Sequence, residues 1–161
     1  MIRVMFICHG NICRSPMAEF LFRDMVRKAG REDEFLIDSA AVSREEIGNP
    51  VYPPVRRLLE ADGISCENKR ARQVTPEDYR RFDFLICMDR SNIRNLKALL
   101  GGDPSDKIRL LLSYAGSHDS VSDPWYTRDF EAARRDILRG CRGLLSQFPP
   151  SVESLRKELF S

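Results

Sequence analysis

The chain has 161 residues, 42% of them apolar, which is enough to bury one packed core and too few for two ordinary domains; residues 1–161 are expected to form a single domain. With 26 basic against 24 acidic residues the formal net charge is +2, and the arginines are scattered, so the balance argues against nucleic-acid or membrane-surface binding. No stretch approaches the ~20 apolar residues of a membrane span, the first residues enter a strand pattern instead of a signal-peptide core, and five irregularly spaced cysteines argue for reduced thiols in a cytoplasmic protein.

Ile2, Val4 and Phe6 alternate with Arg3, Met5 and Ile7 in a mostly apolar run, the pattern of a short buried strand. Pro16 suits the first turn of a helix, and Met17, Ala18, Leu21, Phe22, Met25 and Val26 follow at helical spacing. Residues 35–38 read as a second strand, and Val55, Leu58 and Leu59 give the next helix an apolar stripe that ends before Gly63. A strand over 82–88, a helix over 91–100 closing at Gly101-Gly102, and a strand over 108–112 repeat the alternation. Phe130, Ala133, Ile137, Cys141, Leu144 and Phe148 then step by three or four along a long helix, which Pro149-Pro150 breaks before a short last one. The expected fold is α/β: a three-layer domain with a four-stranded parallel sheet in flavodoxin-like order 2-1-3-4, flanked by helices on both faces. Ligands of such sheets sit outside the carboxyl ends of the strands, bordered here by the loops at 40–54 and 113–126.

The first strand runs into its helix through Cys8-His9-Gly10-Asn11-Ile12-Cys13-Arg14-Ser15. Such a loop turns successive backbone N–H groups toward one point, where the helix dipole adds positive character, and an oxyanion such as phosphate fits there. Gly10 permits backbone angles that other residues resist, and Asn11 tolerates the left-handed region. A thiolate at Cys8 is stabilised by the amides and by Arg14, and it is placed for in-line attack on a phosphoryl group whose oxygens Arg14 holds bidentately. Ser15 can donate to the sulfur as nucleophile and as leaving group. The scheme needs no cofactor and no metal. Neither the nucleotide P-loop pattern nor a dinucleotide fingerprint is present, and Cys8 and Cys13 lack a second ligand pair at zinc spacing.

A phosphate ester also needs a proton for its leaving oxygen. Asp123-Pro124-Trp125-Tyr126 offers a carboxyl on a stiffened loop, with Trp125 and Tyr126 as an apolar wall for a phenyl ring. Taken alone, Asp-Pro is a common turn dipeptide, and Asp123 serves as readily as a helix cap.

The segment from Val4 to Glu19 closely resembles the opening of the low-molecular-weight protein tyrosine phosphatases, with a bacterial cast. Further matches, at residues 37–40, 71–73, 82–89 with Asn92, and 107–111, extend the likeness over nearly the whole chain. The resemblance implies hydrolysis of phosphotyrosine in protein substrates through a phosphocysteine, with Cys8 as nucleophile, Arg14 as phosphate clamp and Asp123 as general acid and then base. It implies phosphate binding by residues 9–13 and Ser15, with Ser39 and Asn11 supporting the loop by hydrogen bonds, and a reversible Cys8–Cys13 disulfide under oxidation. Packing without a redox role is the plainer account of Cys13. Departures from the family pattern fall at Ala40-Ala41-Val42, Ser43 to Glu46, residues 48–54 and Lys69, which stands where many eukaryotic members have histidine. Tyr52 is either an added aromatic surface or a turn cap. Protein-arginine phosphatases of this type carry threonine after the loop asparagine, where this chain has Ile12. Arsenate reductases relay a disulfide through two neighbouring cysteines, whereas Cys66 and Cys87 lie far apart. A phosphotyrosine-binding module would need neither Cys8 nor Asp123.

Overall fold

The computed structural model describes residues 1–150 and 152–160. Strand β1 (Ile2–Cys8) pairs in parallel with β2 (Phe35–Ala41) on one side and β3 (Phe84–Cys87) on the other, and β3 pairs with β4 (Ile108–Leu110). The sheet order is therefore β2-β1-β3-β4, the flavodoxin-like order expected from the alternating pattern. The helices in chain order are α1 (Arg14–Lys28), α2 (Pro53–Ala61), α3 (Pro76–Arg81), α4 (Arg90–Leu100), α5 (Pro124–Thr127), α6 (Phe130–Ser146) and α7 (Val152–Phe160). Among the described residues no helix is long and apolar enough to cross a membrane.

β1 is apolar on both faces because both faces are covered. Val4 and Phe6 pack into a core with Phe22 of α1, Leu59 of α2 and Ile137 of α6, while Met5 and Ile7 join Leu85, Cys87 and Leu96 of α4 on the other side. Phe6, Phe22, Phe35, Phe148 and Phe84 form a run of edge-on ring contacts at 5.3–5.8 Å that ties the end of α6 to the sheet. Each such pair adds about 0.5–1.5 kcal/mol to the apolar burial.

Several boundaries differ from the sequence pattern for identifiable reasons. The third strand begins at Phe84 instead of residue 82, because Phe82 closes α3 through its N–H to the Asp78 carbonyl. That short helix starts at a reciprocal capping box in which Thr75 and Asp78 each bond the other's backbone N–H. β4 stops at Leu110, and residues 111–115 coil into a 3-10 turn closed by Gly116 at φ 73°. α6 lies against this turn so closely that a Cβ on Gly143 would stand 2.1 Å from the Tyr114 carbonyl oxygen. β2 runs on to Ala41 because its register with β1 continues to Cys8, which brings Ser39 beside the phosphate loop.

Candidate active site

β1 ends at Cys8, only 3% exposed, and the chain curls through residues 9–13 into α1, which begins at Arg14. The left-handed residue of the curl is Asn11 (φ 60°); Gly10 has no positive φ, contrary to the role expected for it. A Cβ on Gly10 would lie 3.2 Å from Cγ of Glu46 on the facing loop, close enough that this side chain would have to shift slightly.

The polarity of the hydrogen bonds behind the loop can be deduced. The N–H of Arg72 donates to Asn11 Oδ1 at 3.2 Å, so the two Nδ2 hydrogens point elsewhere, to Ser15 Oγ (2.8 Å) and Ser39 Oγ (2.9 Å). Both serine oxygens thus accept, and each hydroxyl hydrogen must go onward. Ser39 donates to Glu19 Oε1 at 2.6 Å, and Ser15 Oγ lies 3.0 Å from Cys8 Sγ, where its hydroxyl is the donor when the sulfur is a thiolate. The sulfur also accepts from the Asn11 N–H at 3.3 Å. Glu19 is buried and held by Lys69 Nζ at 3.0 Å and Arg23 at 2.9 Å. Lys69 further donates to Asp38 and to the Ser39 carbonyl. Burial alone would raise the Asp38 carboxyl, but Lys69 and Arg72 hold it below the usual range.

Arg14 is 3% exposed, and its Nη1 donates to Asp89 Oδ2 (2.9 Å) and to the Val121 carbonyl (3.1 Å). Nη2 faces Asp123 Oδ2 at 3.4 Å. Burial works against the guanidinium charge, yet the negative charge of Cys8, Asp123 and Asp89 outweighs it and holds Arg14 above its ordinary value. Asp89 is itself oriented by a capping box with Asn92 at the start of α4. Asp123 is the N-cap of α5, with Oδ1 accepting from the Trp125 N–H at 3.0 Å. Helix cap and cleft carboxylate are one and the same residue.

Cys8, His9, Gly10, Ile12, Cys13, Arg14, Asp123, Trp125 and Tyr126 line a single cleft of about 550 Å³, with Asn11, Ser15 and Ser39 behind it. A larger hollow of about 710 Å³ between α1 and the β2 edge contains no cysteine or histidine and lies away from these groups. Across that loop and cleft, a model of the low molecular weight phosphotyrosine protein phosphatases matches residues 3–159. The chain belongs to that family. It is 43% identical over 148 residues to the Bacillus subtilis low molecular weight protein-tyrosine-phosphatase YfkJ, covering 91% of this chain and 95% of that one. The crystal structure of YfkJ superposes with a TM-score of 0.86 at 41% identity, covering 98% and 96%. The human low molecular weight phosphotyrosine protein phosphatase is 38% identical over 151 residues, covering 89% and 94%. The crystal structure of DARP, a Drosophila arginine phosphatase, superposes at 0.82 with 31% identity, covering 93% and 99%.

Within this family member the cleft rim has its own character. His9 turns outward, its Nε2 3.0 Å from Glu45, so the His9 side chain faces the rim. Trp125 is 47% and Tyr126 83% exposed. Tyr52 is the N-cap residue of α2, without a side-chain cap bond, and its half-buried ring lies 5.4 Å from that of Trp125 and 5.8 Å from that of Phe130. Burial, then the negative charge of Cys8 and Asp123, push the Cys13 thiol up to about 12 against the opposing pull of Arg14. Cys87 is fully buried in β3, so it forms no mobile relay with Cys66. Glu19, Lys69 and Asp89 were not singled out as site residues from the sequence. For Asp89 the signal is the Asp-x-x-Asn cap; for Glu19 it is the four-residue step to Arg23 along α1.

Proposed function

We propose that this single domain, spanning residues 1–161, hydrolyses phosphotyrosine in proteins, and aryl phosphate monoesters generally, through a phosphocysteine intermediate. The Cys8 thiolate attacks phosphorus, the bond to the aryl oxygen breaks, and Asp123 gives that oxygen its proton. The loop N–H groups and the Nε–Nη2 edge of Arg14 bind the equatorial oxygens, the Nη1 corner being occupied by Asp89 and Val121. Water then attacks phosphorus as Asp123 takes its proton, phosphate leaves, and the thiolate is restored with the Ser15 hydroxyl donating to it. The observation that carries this reading is the Cys8–Ser15 contact in one cleft with the Arg14–Asp123 pair. Trp125 and Tyr126 supply the wall for the phenyl ring, and Ile12 offers no hydrogen bond to a phosphoguanidinium. Cys13 is the resolving thiol when Cys8 is oxidised. Thiol chemistry of this kind suits a reducing cytoplasm.

The test is hydrolysis of a phosphotyrosine peptide beside a phosphoarginine peptide. Wild type is expected to prefer phosphotyrosine, Ile12→Thr to shift toward phosphoarginine, Cys8→Ser to be inactive, and Asp123→Asn to lose about 10²–10⁴ in kcat/KM for phenyl phosphate. Undiminished turnover in Cys8→Ser overturns the mechanism, and a wild-type preference for phosphoarginine overturns the substrate.

A further inference from the structure

We propose that Tyr52, Trp125 and Arg128 form a clasp that fastens the segment carrying Asp123 to the phosphate loop, making Tyr52 and Arg128 positioning residues for proton transfer to the leaving group. The proposal rests on the phosphatase reading above and adds residues that reading does not use.

Residues 123–128 are one hydrogen-bonded unit. The N–H of Trp125 donates to Asp123 Oδ1 at 3.0 Å, those of Tyr126 and Thr127 donate to the Asp123 carbonyl at 3.1 and 3.2 Å, and that of Arg128 donates to the Pro124 carbonyl at 2.8 Å. Whatever holds Trp125 and Arg128 therefore holds the carboxyl of Asp123. Arg128 closes the unit in the left-handed region (φ 60°), a conformation that its Cβ disfavours and a glycine would adopt freely. Two contacts compensate: its Cζ lies 5.7 Å from the centroid of the Trp125 ring, and Nη1 donates to Tyr52 Oη at 3.3 Å.

The other half of the clasp belongs to the phosphate loop. The Tyr52 N–H donates to the Ile12 carbonyl at 2.9 Å, and the Tyr52 carbonyl accepts from Val55 and Arg56 as α2 begins. Its ring lies against both Trp125 and Phe130, at 5.4 and 5.8 Å. A continuous set of contacts thus runs from Ile12 of the phosphate loop through Tyr52 to Trp125 and Arg128, and back along one helical turn to Asp123. Loosening it lowers the fraction of molecules whose acid stands over the cleft. A leaving group that departs without help tolerates that loss; one that needs the proton does not.

The experiment compares kcat/KM for p-nitrophenyl phosphate, whose leaving group departs readily, with that for phenyl phosphate, in wild type, Arg128→Gly and Tyr52→Phe. In Arg128→Gly the phenyl ester is expected to lose ~2–5-fold more than the nitrophenyl ester, the factor that an exposed cation–π contact corresponds to. Tyr52→Phe, which removes only the hydroxyl, changes the ratio in the same direction by less. Glycine relieves the left-handed strain, so Arg128→Gly keeps a near wild-type unfolding midpoint and misfolding is not the cause. In an Asp123→Asn background Arg128→Gly no longer alters the ratio. An active wild type with equal or absent losses on the two esters in both variants overturns the clasp alone; a wild type inert toward both esters overturns the phosphatase reading beneath it.

Discussion

Ser39→Ala tests whether the hydrogen-bond relay behind the phosphate loop acts on the sulfur. Ser39, Asn11 and Glu19 are all buried, at 0%, 1% and 2% exposure, so water does not replace what the mutation removes. Glu19 Oε1 loses a donor at 2.6 Å and keeps Lys69 at 3.0 Å, while one Nδ2 hydrogen of Asn11 loses its acceptor at 2.9 Å. A hydrogen bond to a charged group contributes about 1.5–3 kcal/mol and an orphaned buried donor costs about 1–3 kcal/mol, so the variant should lose roughly 3 kcal/mol. Against a total of about 5–15 kcal/mol this is readily measured as a shift of the urea midpoint by ~1–2 M without a change in slope. Asn11 then ceases to pin Ser15, and the alkylation rate of Cys8 by iodoacetate and kcat/KM for phenyl phosphate should fall together by about tenfold, equivalent to ~1.4 kcal/mol. Because Ser39 acts through Ser15, Ser39→Ala should have little further effect on alkylation in a Ser15→Ala background. A Ser39→Ala variant that loses its stability but alkylates at the wild-type rate would refute the relay, leaving Ser39 as a purely structural contact.

The role proposed for Cys13 predicts an oxidation response that depends on pH. Peroxide converts the Cys8 thiolate to a sulfenic acid with loss of hydroxide, and the Cys13 thiolate then displaces a second hydroxide to form the disulfide. Since burial alone pushes the Cys13 thiol up, its thiolate fraction grows with pH across the neutral range even once Cys8 has lost its charge. The share of activity recovered by dithiothreitol after a peroxide pulse should therefore rise from pH 6 to pH 8 and collapse in Cys13→Ser; a recovery independent of pH, or intact in Cys13→Ser, rules the role out. For the fold, Gly143→Ala should lower stability by about 3 kcal/mol despite alanine's higher helix propensity, because the added Cβ meets backbone at 2.1 Å. Gly140→Ala should cost less, since there the obstacle is the Leu111 side chain at 2.5 Å, and equal urea midpoints for the two variants would contradict this account.

What the sequence revealed and concealed follows from the range of the forces involved. The Cys8-x5-Arg14-Ser15 spacing, the apolar stripes and the alternation of strand and helix are local patterns, and the sheet order that they imply is the one observed. Boundaries fail where a distant element decides them. Leu111 and Leu112 continue the apolar run of β4, yet the close approach of α6 at Gly143 leaves room only for a tight turn. The Lys69–Glu19 pair was hidden for a similar reason: its partners are 50 residues apart by number and meet only because β2 carries Ser39 between them. Asn11 takes the left-handed conformation that its residue type tolerates, whereas Gly10, expected to adopt angles that other residues resist, has no positive φ, a difference that the loop sequence alone does not show.

Asp123 is a helix cap, and that geometry is compatible with the acid role proposed for it. As N-cap of α5 it commits Oδ1 to the Trp125 N–H at 3.0 Å. Its Oδ2 accepts from Arg14 Nη2 at 3.4 Å, and in the proposed mechanism it is released to carry the proton when phosphate takes that N–H. Pro124 contributes by starting the helical turn without an N–H of its own, so that the first N–H available to the cap is that of Trp125. The same turn thus ties down Oδ1, leaves Oδ2 for the proposed proton transfer and places the indole beside it. A carboxyl on a freely hinged loop would have to find both arrangements during each catalytic cycle, whereas here the backbone provides them together.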